Sequence, residues 1–71
     1  MSDNSIQINV GKQIQKLREF KGLSQQDLAA KCNFEKSNMS RLEAGKVNPT
    51  LSTLEKVAKA LDVSLVELFS F

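Results

Sequence analysis

The chain of 71 residues has no histidine, no tryptophan and no tyrosine, and it holds one cysteine, one proline and three glycines. Each shortage removes a class of chemistry. Without histidine there is no imidazole acid or base, no Ser-His-Asp or Cys-His nucleophilic pair and no Cys/His zinc site. A single cysteine cannot close an intrachain disulfide, which points to a reducing compartment. No run approaches the ~18 unbroken apolar residues of a membrane span, and the opening MSDNSIQINV lacks the basic-then-apolar order of a secretion signal. A chain this short carries one core, burying only about 60% of its unfolded surface. Composition therefore predicts a single cytoplasmic domain that binds a partner, with no enzymatic activity, no cofactor and no small-molecule substrate.

The net charge of +2 names no partner, but its placement is uneven. From Lys12 to Lys46 there are eight Lys/Arg against four acids; the rest of the chain carries two lysines against four acids. Positive charge is concentrated in the middle. On charge alone a solvated surface is the simpler reading, and whether the cations share one face decides the matter.

Periodicity is helical throughout. Residues 1–9 are polar apart from Ile6, Ile8 and the initiating Met1, and read as an N-terminal arm. Val10, Ile14 and Leu17, closed by Lys21-Gly22, predict a first helix over about 10–21. Ser24 followed three residues on by Asp27 has capping-box spacing and opens a second helix over 25–32, with Asn33 suited to the left-handed turn after it. A third helix spans 36–44 and stops at Gly45. Thr50, preceded by Pro49, caps a fourth that carries Leu51, Leu54, Val57, Ala58 and Leu61. Ser64 and Glu67 repeat the capping spacing and open a short fifth helix ending near Phe69. The expected fold is all-α, five helices over residues 10–71 behind the arm.

Helices 2 and 3 are joined by only Asn33, Phe34 and Glu35, so they must cross steeply, as a helix-turn-helix does. At about 100° per residue the third helix divides into two faces. Met39 and Leu42 point inward, while Lys36, Ser37, Ser40, Arg41 and Ala44 point outward. That outer face suits a DNA major groove: hydroxyls donate or accept at base edges, arginine forks onto guanine, and small residues allow deep entry.

The stretch Leu23-Ser24-Gln25-Gln26-Asp27-Leu28-Ala29-Ala30-Lys31, then Met39-Ser40-Arg41-Leu42-Glu43-Ala44-Gly45, Asn48-Pro49-Thr50-Leu51 and Leu61-Asp62-Val63-Ser64-Leu65, resembles the lambda-repressor-like (Cro/C1, XRE-type) DNA-binding domain family. The resemblance covers nearly everything from Val10 to Phe69. It implies that the third helix reads bases through Lys36, Ser37, Ser40 and Arg41, and that Gln25, Lys46 and Asn48 contact phosphates. Lys46 reads equally well as a solvated loop lysine. The resemblance also implies that Arg18 and Glu43 form a structural ion pair, which removes both from the base-reading set.

The sequence departs from that family at four places. Asn33 and Asp62 stand where glycine is usual, and both tolerate the left-handed turn at some cost. Glu35 replaces a capping Ser or Thr ahead of the third helix, and its charge repels phosphate. Phe20 falls where a polar residue is usual. Cys32 reads as a small core residue.

One such domain grips a short half-site, so pairing across a dyad is expected, with half-sites about 34 Å apart. Val66 and Phe71 are the candidates for a homodimer surface; the competing reading is that they complete a thin core. The functional expectation is a sequence-specific DNA-binding transcriptional regulator, of the Cro/C1 or restriction-modification controller type. The alternative is an antitoxin-like module that masks a partner protein.

Overall fold

The computed structural model describes residues 5–71, and the described chain is helical with no strand. Four α-helices follow in order: α1 (Ser5–Phe20), α2 (Gln25–Cys32), α3 (Lys36–Glu43) and α4 (Leu51–Leu61), before a 3-10 helix at Leu65–Phe69. The fifth element is thus a tight single turn rather than an α-helix. Its start is held by the Ser64 N–H donating to the Glu67 carboxylate at 3.2 Å.

Helix α1 begins five residues earlier than the apolar spacing suggested, so residues 5–9 of the expected arm are helical. Residues 1–4 of that arm lie outside the described residues. The reason is tertiary. Ile6 precedes Val10 and Ile14 at four-residue spacing, continuing the same stripe, and Ile8 packs against Gly45, where an added Cβ would lie 2.6 Å from the Ile8 Cα. Support from another part of the chain helps to hold this turn helical.

All four α-helices end in the same way. The residues Gly22, Asn33, Gly45 and Asp62 adopt positive φ between 59° and 74°. In each case the following N–H reaches back to a carbonyl five residues earlier, as Leu23 does to Arg18, Phe34 to Ala29, Lys46 to Arg41 and Val63 to Ala58. This double-bonded turn satisfies carbonyls that a helix end otherwise leaves open. Asn33 and Asp62 therefore perform the turn expected of them, as non-glycine residues in a conformation that glycine adopts with less strain.

The core draws from every element: Val10 and Ile14, Leu28, Ala29 and Cys32, Met39 and Leu42, Leu54, Val57, Ala58 and Leu61, and Leu68. Helix α3 packs on α2 and α1, and the 3-10 helix packs on α4 and α1. The Gln13 side chain donates to the Glu67 carbonyl at 2.9 Å, tying α1 to the 3-10 turn. Burial pushes the Cys32 thiol up from its ordinary value, which favours the protonated thiol. Leu51, expected on the apolar stripe of α4, is exposed, as is Phe20.

Candidate nucleic-acid interface

Helix α2 starts with a complete reciprocal cap. The Asp27 N–H donates to Ser24 Oγ at 3.0 Å, and the Ser24 N–H donates to the Asp27 carboxylate at 3.0 Å. Those bonds hold the Asp27 carboxyl below its ordinary range. The next N–H groups, of Gln25 and Gln26, have no acceptor among the described residues. They are the open donors of the positive helix end.

Helix α3 presents Met39 and Leu42 to the core and leaves Lys36, Ser37, Ser40 and Arg41 exposed. Its start is poor. Glu35 occupies the cap position in extended conformation and makes no side-chain cap hydrogen bond. Asn38, which the sequence reading did not single out, accepts a bond of 2.6 Å from Arg41 Nη2. Three-residue helical spacing puts the two side chains on one face, which is the signal that could have found it.

The far end of α3 is held from three sides. Glu43 is buried, and its carboxylate accepts from Arg18 Nε at 2.7 Å and Arg18 Nη2 at 3.1 Å. The same guanidinium donates through Nη1 to the Leu23 carbonyl at 2.8 Å, so α1, the α1–α2 turn and α3 are joined at one point. Hydrogen bonding to Glu43 raises the Arg18 pKa further, and the side chain is a permanent cation. Gln25 Nε2 also donates to Glu43, at 2.9 Å. Gly11 supplies the third hold, because a Cβ there would sit 2.5 Å from the Glu43 carbonyl oxygen and 2.7 Å from that of Leu42.

These contacts assemble one surface. The Gln25–Glu43 bond places the start of α2 beside the last turn of α3, and the Lys46 N–H bonded to the Arg41 carbonyl folds the following loop back onto that turn. Gln25 is half-buried, whereas Lys46 and Asn48 are exposed. Asn48 also borders an apolar groove lined by Ile6, Leu42, Leu51 and Phe69. Val66 and Phe71 follow α4 in the chain, where the 3-10 helix packs on α4 and α1. They are 73% and 60% exposed on the C-terminal segment, so they do not complete the core.

A family model described as helix-turn-helix matches residues 14–68. The chain belongs to the helix-turn-helix family. An uncharacterised helix-turn-helix transcriptional regulator of Sinorhizobium fredii, y4dJ, is 46% identical over 59 residues, which span 83% of this chain and 77% of that protein. Control protein C.MunI of a Mycoplasma species is 41% identical over 68 residues, spanning 94% of this chain and 92% of the relative. The crystal structure of the restriction-modification controller protein C.AhdI from Aeromonas hydrophila superimposes with a TM-score of 0.85 at 37% identity, over 87% of this chain and 94% of that one. Within this helix-turn-helix domain, α2 and α3 are the two helices of the motif.

Proposed function

We propose that this DNA-binding transcriptional regulator is of the controller type, binding double-stranded DNA as a homodimer with α3 in the major groove. Lys36, Ser37, Ser40 and Arg41 read base edges, while Gln25, Lys46 and Asn48 meet phosphates. The observation that carries this reading is the exposed, cationic, hydroxyl-bearing face of α3 beside the open N–H groups of α2. Glu43, the one acid within α3 itself, is withdrawn from that face into its pair with Arg18. The 41% identity to control protein C.MunI over 68 residues supports the controller assignment. Restriction-modification genes adjacent to its own are the proposed targets, and the cytoplasm is where it acts.

Pairing is proposed through Val66 and Phe71, whose exposure leaves apolar surface on the C-terminal segment. Two copies related by a dyad then address half-sites about 34 Å apart.

Selection of bound genomic fragments, followed by binding measurements against salt, tests the reading. A palindromic site bound more tightly than random DNA, with affinity falling steeply as salt rises, is the expected result. Affinity indifferent to salt, or tight association with a second protein in place of DNA, would overturn it in favour of a protein-masking module. Sedimentation that shows only monomer at high micromolar concentration would remove the dimer.

A further inference from the structure

Glu43 accepts from three donors, and one of them is Gln25. Arg18 Nε reaches Oε2 at 2.7 Å, Arg18 Nη2 reaches Oε1 at 3.1 Å, and Gln25 Nε2 reaches that same Oε1 at 2.9 Å. A carboxamide nitrogen carries two N–H groups. One points at Glu43, and the second has no acceptor among the described residues. Gln25 is the first residue of α2, where the backbone N–H groups of Gln25 and Gln26 are also open.

We propose that the buried Arg18–Glu43 pair is a positioning device for phosphate binding: Glu43 holds one N–H of Gln25 so that the other faces a DNA phosphate. This rests on the reading of Gln25 as a phosphate ligand. One physical effect follows from the bond. A glutamine fixed in one rotamer before DNA arrives is already ordered and loses less freedom on binding. Arg18 contributes by fixing the carboxylate, whose two oxygens are held in the plane of its guanidinium fork. Glu43 and Arg18 touch no DNA in this arrangement; they act through Gln25.

The test is a binding cycle on the full chain, read on one operator and one random duplex. Gln25→Met removes both N–H groups at similar volume. Arg18→Met with Glu43→Leu removes both buried charges together and leaves neither unpaired. Each change should weaken binding to both duplexes alike, by about three- to tenfold, the size of one net hydrogen bond. In the Gln25→Met background the loss from the paired substitution should disappear. Salt dependence should keep its slope in Gln25→Met, because glutamine releases no counterion. If Gln25→Met binds as the parent does, both the phosphate role of Gln25 and this inference fall. If Gln25→Met weakens binding while the paired variant does not, or if the two losses simply multiply, the phosphate role stands and the positioning role falls.

Should the paired variant not fold, the side-chain NH2 signals of Gln25 in the parent protein decide the matter. On adding operator DNA, one proton should keep its Glu43-bonded shift while the other moves. Loss of the Glu43-bonded shift on DNA would overturn the inference.

Discussion

The two ends of α3 are built to different standards. At the C-terminal end Glu43 is gripped by Arg18 and Gln25, Gly11 lies against the last carbonyls, and Gly45 closes a double-bonded turn against Ile8. At the N-terminal end Glu35 makes no side-chain cap, and Lys36 and Ser37 stand in solvent. The direction of the helix is therefore set from its far end. In the proposed reading Ser40 and Arg41, about one turn from the anchor, are the residues that meet base edges closely, whereas Lys36 and Ser37 sit on the turn that frays most easily. An end that adapts suits contacts made at longer reach.

Cutting the anchor should have the largest effect. Glu43→Ala leaves the Arg18 cation buried without its partner, which costs about 3–5 kcal/mol. Against a total stability of roughly 5–15 kcal/mol for a domain, that loss takes most of the margin of a chain this small. Urea unfolding measures it. A loss below about 1 kcal/mol, the range of exposed pairs, would mean that the pair is solvated and the anchor is elsewhere.

Gly11→Ala comes next and separates two expectations of opposite sign. Helix propensity alone favours alanine over an interior glycine by about 0.8–1.0 kcal/mol. The added carbon, however, would sit 2.5 Å from a backbone carbonyl that cannot rotate away, so α3 must shift. Overpacking of this kind costs about 1–3 kcal/mol, and the net effect should be destabilising. A variant more stable than the parent would show that α3 moves freely at its anchored end.

These two positions also mark where the sequence could be read and where it could not. Helices α2 to α4 were legible because their signals are local: Ser24 with Asp27, Thr50 after Pro49, and the turn formers Asn33, Gly45 and Asp62 all act within a few residues. The outward face of α3 followed from periodicity for the same reason. Contacts between distant residues left no such trace. Gly11 meets carbonyls more than 30 positions away, Gln25 meets Glu43 across 18 positions, and Ile8 is made helical by Gly45. The start of α1 was misplaced accordingly, since its first turn packs against a distant part of the chain.

The anchored half of α3 should also carry the sharper base preference. Arg41→Ala is expected to relax discrimination at one base pair by about 1–3 kcal/mol, with little change on random duplex. Asn38→Ala should reproduce part of that loss, because Arg41 donates to Asn38 at 2.6 Å and is oriented by it. Binding to a panel of singly substituted operators reads both. Equal losses on operator and random DNA for Arg41→Ala would place the reading face elsewhere.

At the loose end, Glu35→Ser supplies the missing cap and should stabilise the protein by about 0.5–1 kcal/mol. It also removes a negative charge from the start of the reading helix, so DNA binding should tighten on all sequences. Thermal unfolding and binding to random duplex check the two effects separately. Tighter binding with no gain in stability would mean that only the charge mattered.

The smallest effect compares the starts of α2 and α3 through pH. The bonds from Ser24 lower the Asp27 pKa in the folded state, so this carboxylate adds stability above its unfolded pKa, and that stability is lost as pH falls through the lowered folded value. In acid, α2 loses the charged half of its reciprocal cap and its start comes to resemble that of α3. The parent protein should therefore be more stable than Asp27→Asn at neutral pH, and the gap should narrow once pH drops below the ordinary carboxylate range of about 3.9. Absence of a gap across that range would assign the benefit of Asp27 to hydrogen bonding that asparagine also provides. The contrast between the two helix starts would then rest on the Ser24 hydroxyl alone.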